Sequence, residues 1–196
     1  QYPFPDMADL TELDATVLSN LLEARKVSAV EVMTATLDRI EQINPKITAI
    51  VSLRDRDDLL DEARQADAGP RKGWLHGVPM AIKDLQKVSG IRSTSGSPIH
   101  VDRLPEVDDT LPALLRASGA IFIGKTNVPE FGYGSHSLNP VFGVTGNPYD
   151  LSKSAGGSSG GAAAALAARL VAVADGSDAM GSLRNPAAFC NVYGFR

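Results

Sequence analysis

The chain has 196 residues, enough for one sizeable domain with its own core, and its 43% apolar and 21% charged content is that of an ordinary globular protein. A net charge of −4 argues against a nucleic-acid partner, which calls for a basic face. The single cysteine, Cys190, excludes an internal disulfide framework and cannot build a thiolate metal site alone.

The opening QYPFPDMADL has neither a basic nor an apolar signal region, and no later stretch reaches the apolar length of a membrane span. No membrane partner is expected and a cytoplasmic location is the default, although a segment removed ahead of Gln1 stays open. Residues 14–26, DATVLSNLLEARK, predict a helix. Asp14 is its N-cap, Leu13 and Leu18 form a hydrophobic staple, and Arg25 and Lys26 suit the negative end of the dipole. A second helix starts at Ser28, where SAVE is a capping box, and is expected to end at Asn44-Pro45. ITAIVSL then reads as a strand, and DRDDLLDEARQADAGP as a helix closed by Gly69 and Pro70.

Beyond this helical front the texture changes. GVPMAIKD, residues 77–84, is a short β-like run, TLPALLRASG a helix and AIFIGK a buried strand. Residues 132–159 read as a long Gly/Ser/Asn/Pro-rich loop, of the kind that often carries function. GGAAAALAARL reads as a helix and VAVAD as a strand. Helices alternating with short buried strands predict an α/β fold, a mixed sheet flanked by helices behind a helical N-terminal region. There is no repeat or linker, so 1–196 is taken as one domain. The chain stops at NVYGFR, a strand-like segment with no neighbour to follow, and is expected to be the front part of a longer protein.

GAIFIGKT, residues 119–126, matches the phosphate-binding pattern G-x-x-x-x-G-K-[ST] letter for letter. That pattern needs a glycine-rich loop between a strand and a helix. Here Ala-Ile-Phe-Ile is itself β-prone, and Pro129 interrupts the helix that should follow. The phosphate reading is rejected, and Lys125 is taken as a structural or rim lysine. Cys190, inside AAFCNVYGF, reads as a buried thiol.

A serine needs a base to become a nucleophile. His76, His100 and His136 are not tied to any serine by a recognisable pattern such as G-x-S-x-G, so each is read as a surface or structural residue. The few histidines also lack ligand spacing, and no metal or other cofactor is expected. A lysine held neutral by burial is the other available base, and Lys83 ends an apolar run.

GVPMAIKD, KTNVPEFG and the stretch GGSSGG…ADGSDAMGSLRNPAAFC, taken in that order, resemble the amidase signature family over nearly the whole chain. The resemblance implies a hydrolase that works on amides through a Ser-(cis)Ser-Lys triad and an acyl-enzyme. It makes Ser182 of MGSLRNP the nucleophile, Ser158 the bridging serine after a cis peptide bond, and Lys83 the base. It also implies an oxyanion hole of the backbone N–H groups of Ala179, Met180, Gly181 and Ser182. The commonest family pattern has two glycines before the nucleophile, and Met180 stands at the first of those places. The backbone N–H survives a side chain there provided that position does not need a positive φ. Ser159, Asp178 and Arg184 are supporting candidates. Asp178 and Arg184 either brace the turn as a pair or stand as two solvated charges.

The family spans aliphatic and aryl amidases, fatty acid amide hydrolases, a cyclic-amide oligomer hydrolase and the amidase subunit of tRNA amidotransferases. The expected partner is a small-molecule linear amide. The alternatives are a truncated, inactive portion of such an enzyme and the amidotransferase subunit. Oligomeric state stays open, a homodimer included.

Overall fold

The structure is a computed structural model, described here for residues 7–196. Helix α1 spans Ala15–Glu23, and the Asp14 carboxylate accepts the Val17 N–H at 2.9 Å as its cap. It stops earlier than periodicity predicts because Arg25 adopts a positive φ of 52°, which leaves Arg25 and Lys26 outside the helix. Helix α2, Ala29–Ile47, opens on the expected Ser28/Glu31 capping box. It runs past Asn44-Pro45 rather than ending there. Pro45 forfeits only the bond to the carbonyl of the exposed Glu41. The turn that ends α2 is held by the Asn44 side chain, which accepts the Ala49 and Ile50 N–H groups and donates to the Ile50 carbonyl.

Strand β1 is therefore only Ile50–Val51. Helix α3, Arg56–Ala68, follows, capped by Asp55, and then β2, Pro79–Lys83, helix α4, Thr110–Ala117, and β3, Ile121–Thr126. The three strands make one mixed sheet in the order β1-β3-β2, with β3 antiparallel to β1 and parallel to β2. The α/β class and the mixed sheet are as the sequence implies. One apolar cluster gathers Met33, Leu37, Ile40, Ala81, Ile123 and Leu170, and a second gathers Leu18, Val32, Met80, Ile82, Val88 and Phe122. Burial on this scale is the main favourable term for the fold.

Three stretches depart from expectation. Residues 132–159 carry two small antiparallel hairpins: β4 (Leu138–Asn139) with β5 (Gly143–Val144), and β6 (Gly146–Asn147) with β7 (Asp150–Ser154). These strands are polar or very short, so no period-2 apolar pattern announces them. VAVAD, 171–175, joins no sheet among the described residues. At the end of β2, the Lys83 N–H that a neighbouring strand could use is taken instead by the Asp175 carboxylate, at 2.7 Å. NVYGFR, 191–196, read as strand-like, joins no strand among the described residues; it follows a short helix α6, Arg184–Phe189, and Asn191 (φ 51°) turns the chain out of that helix.

Helix α5, Gly160–Ala167, packs its small residues on the sheet at very close range. A Cβ on Gly161 would collide with the Asn127 main-chain nitrogen, and would lie 2.6 Å from the Asn127 oxygen and 2.7 Å from the Ala49 oxygen. All three are main-chain atoms and cannot swing away. Gly161→Ala is therefore expected to cost about 3 kcal/mol, the upper end of ordinary overpacking. Denaturant unfolding measures this, and a change of less than about 1 kcal/mol would contradict the packing described.

No helix among the described residues is long and apolar enough to cross a membrane. Cys190 is buried as expected, and burial pushes its thiol up to about 11.

Candidate active site

Lys83 ends β2 with its whole side chain inside the protein, 1% exposed. Its amine meets three hydroxyls, Ser158 Oγ, Ser159 Oγ and Ser177 Oγ, each at 2.8 Å. Burial pushes the amine down to about 8, against the opposing charges of Asp175 and Asp178. The amine also faces the N-terminal end of α5, whose partial positive charge disfavours an ammonium there.

The hydroxyls are not equivalent. Ser159 Oγ accepts the Ser177 N–H at 3.3 Å and donates to the Ser177 carbonyl at 3.4 Å, so toward Lys83 it is an acceptor. A neutral amine has two N–H groups and one lone pair. With one N–H given to Ser159, the lone pair is left to receive a proton from Ser158 or Ser177. Ser158 is 3% exposed and makes its one side-chain hydrogen bond to Lys83, whereas Ser177 lies in an exposed position.

The glycines around the serines fix the loop rather than loosen it. The Gly157–Ser158 peptide bond is cis. A Cβ on Gly157 would lie 2.8 Å from the His136 nitrogen, and one on Gly160 would strike the Ser137 hydroxyl. Ser137 Oγ accepts the Gly160 N–H at 3.0 Å, and Gly161 donates to the Asn127 carbonyl at 3.1 Å. GGSSGG is thus a clamped turn and not a linker.

The Ser182 segment arrives beside this turn, since the Ser159 N–H donates to the Ser182 carbonyl at 2.9 Å. Asp178 and Arg184 are a pair and not two solvated charges. The guanidinium contacts both carboxylate oxygens, at 2.8 and 3.1 Å, and the Asp178 side chain is 1% exposed. The Arg184 hydrogen bonds hold the Asp178 carboxyl well below the usual range. Asp178 also accepts the Gly181 N–H at 2.6 Å and the Arg184 N–H at 3.2 Å, closing the turn that carries Ser182. The Gly181 N–H is therefore already engaged. Those of Ala179, Met180 and Ser182 make no hydrogen bond among the described residues. The positive φ of the turn falls on Gly181 (97°) and not on Met180, so methionine is accommodated without strain. Met180 is 92% exposed.

Sequence reasoning missed two residues here. Ser177 lies inside the segment ADGSD, where no pattern sets it apart. Asp175 carried no mark, because its role is to accept a main-chain N–H. The histidines stay apart from this cluster. His76 accepts the Lys72 N–H at Nδ1 and lies 2.9 Å from the Ala66 carbonyl at Nε2, His100 stacks edge-on against Phe131, and His136 Nδ1 meets Ser154 Oγ. No group of three His, Cys, Asp or Glu able to hold a metal exists among the described residues.

The model of the amidase family matches residues 31–196. The chain belongs to the amidase family. It is 45% identical over 192 residues to a glutamyl-tRNA(Gln) amidotransferase subunit of Carboxydothermus hydrogenoformans, covering 96% of this chain and 39% of that protein. It is 44% identical over 190 residues to an acylamidase of Rhodococcus erythropolis, covering 95% and 39%. Among solved structures it superposes on a fatty acid amide hydrolase with a TM-score of 0.88 and 30% identity, over 94% of this chain and 33% of that one. The chain thus spans about two-fifths of the length of the curated relatives it matches. The amidase family and fold expected from the motifs are those found.

Proposed function

We propose that this amidase-family chain carries the reacting groups of an amide hydrolase, with Lys83 as base, Ser158 as proton relay and Ser182 as nucleophile. The observation that carries the reading is the buried Lys83 amine at 2.8 Å from Ser158 Oγ, with burial lowering it to about 8. Neutral Lys83 takes the Ser158 proton while Ser158 takes that of Ser182, and Ser182 Oγ bonds to the amide carbonyl carbon. The carbonyl π electrons move to oxygen, and the free N–H groups of Ala179, Met180 and Ser182 are the donors available to that oxyanion. The relay then runs backwards to protonate the leaving amine, the C–N bond breaks, and water attacks the acyl-enzyme by the same route.

The substrate we infer is a small linear amide, in line with the acylamidase relative. The exposed Met180 then stands at the mouth of the site, where it meets the acyl group. Residues 1–196 are read as part of a larger amidase domain, on the strength of the 39% share of the relatives that they span. A second reading, membership of a tRNA-dependent amidotransferase complex, is favoured by the 45% identity to a component of such an enzyme. Turnover of a simple amide by the purified protein without any partner separates the two.

The reading is tested with a serine-directed fluorophosphonate followed by peptide mass spectrometry at mildly alkaline pH. A single adduct on Ser182 is expected. An adduct on another serine instead, or no adduct at all, overturns the assignment.

A further inference from the structure

The segment carrying Asp175 grips Lys83 at both ends: the Asp175 carboxylate accepts its main-chain N–H, and two residues on, Ser177 Oγ accepts from its amine. Asp175 directly precedes GSD, and its carboxylate Oδ1 lies 2.7 Å from the main-chain nitrogen of Lys83. In the sheet, Lys83 pairs with Thr126 and Ile82 with Lys125, so the second lysine stands one register step away on the neighbouring strand. Lys125 is 0% exposed and has its own carboxylate, Asp84, at 3.9 Å. Lys83 has no such direct counter-ion, since its amine touches only hydroxyls.

We propose that Asp175 is a positioning residue that sets the base strength of Lys83. One carboxylate grips the main chain at Lys83 and supplies the negative charge against which the amine holds or yields its proton. The inference rests on the reading of Lys83 as base.

The remaining charges around Lys83 are accounted for. Asp178, from the same segment as Asp175, also acts on the amine, but it is chelated by Arg184. Across the sheet, Lys125 is balanced by Asp84, with Arg103 and Asp109 beyond it. Helix α5 brings only Gly, Ala and Leu. Asp175 is the charge that most opposes burial at Lys83, and burial in turn raises its own carboxyl. The effect on chemistry is a compromise. Without Asp175 the amine would be neutral at lower pH but a weaker acceptor for the Ser158 proton.

Asp175→Asn isolates the charge, because the amide oxygen still accepts the Lys83 N–H. The Lys83 side chain is followed by nitrogen and carbon NMR as pH is varied in both proteins. Its midpoint is expected to move down by about one pH unit in the variant. An unchanged midpoint in a folded variant overturns the proposal. If the variant does not fold, the unaltered protein decides. The Asp175 carboxyl carbon is expected to show an inflection at the Lys83 midpoint, and a flat response overturns the coupling. These readouts do not depend on turnover. A displaced Lys83 midpoint with no Ser182 adduct would therefore retain the coupling while sinking the hydrolase reading, and the reverse pattern would do the opposite.

Discussion

Lys83→Met is expected to lower kcat/KM for amide hydrolysis by about 10²–10⁴-fold, the range that a positioned proton acceptor supplies. Methionine keeps most of the length and all of the apolar stem of the lysine, so the substitution removes the amine without emptying the space around it. Ser159 retains its bonds to the Ser177 main chain, but Ser158 loses its one side-chain partner, the amine proposed to take its proton. The unaltered enzyme should show the complementary pH behaviour. The amine titrates at about 8, so the neutral, proton-accepting form is the minority below that value. Activity should rise about tenfold per pH unit on the acid side and level off above the midpoint. The same depressed amine makes stability rise with pH between about 8 and the ordinary lysine value, since the unfolded chain there binds the proton that the native state has released. A kcat/KM flat across this range, or a Lys83→Met enzyme within a few-fold of the parent, would remove Lys83 from the chemistry.

How much of this could be read from the letters depends on where each instruction is encoded. Caps and helix faces are local, and Asp14 and Ser28 both cap as their spacing implies. Lys83, Ser158, Ser159, Asp178 and Arg184 were legible because they sit in motif blocks whose order is itself informative. What stayed hidden was encoded over long range. Ser177 and Asp175 matter through contacts to a lysine more than ninety residues earlier, and one of those contacts is to a main-chain N–H. The stretch 171–175 has the composition of a strand, yet propensity says nothing about whether an edge is free to receive it. Lys125 was ambiguous between rim and interior. The six buried positions of β3 settle it, because a lysine within a buried strand, itself 0% exposed, has no path to water and must find its partner inside.

That partner makes the second large prediction one about folding. Lys125 and Asp84 are both fully buried, and the rest of their bonding capacity is taken up locally. The amine donates to the Gln86 carbonyl and to Ser93 Oγ, while Asp84 accepts the Thr94 hydroxyl at 2.6 Å and the Thr94 N–H at 3.1 Å. Removing one member of such a pair strands the other, so Lys125→Met is expected to destabilise the protein by about 3–5 kcal/mol. The double substitution Lys125→Met with Asp84→Asn should cost clearly less than the two singles added together, because it leaves no bare charge inside. The sign with pH also differs from that at Lys83. Burial already raises the Asp84 carboxyl, and losing its cation raises it further. The Lys125→Met protein then binds a proton in the native state before the unfolded chain does, and so gains stability as pH falls toward the ordinary aspartate value of about 4. Denaturant titrations at neutral and mildly acidic pH measure both effects. Additive single substitutions, or a variant that loses stability on mild acidification, would mean that the pair does not hold the sheet as described. Because β3 pairs with β2 through to Lys83, a sheet loosened at Lys125 is expected also to move the amine away from Ser158, so that the stability of the fold and the placement of the Lys83 amine fail together.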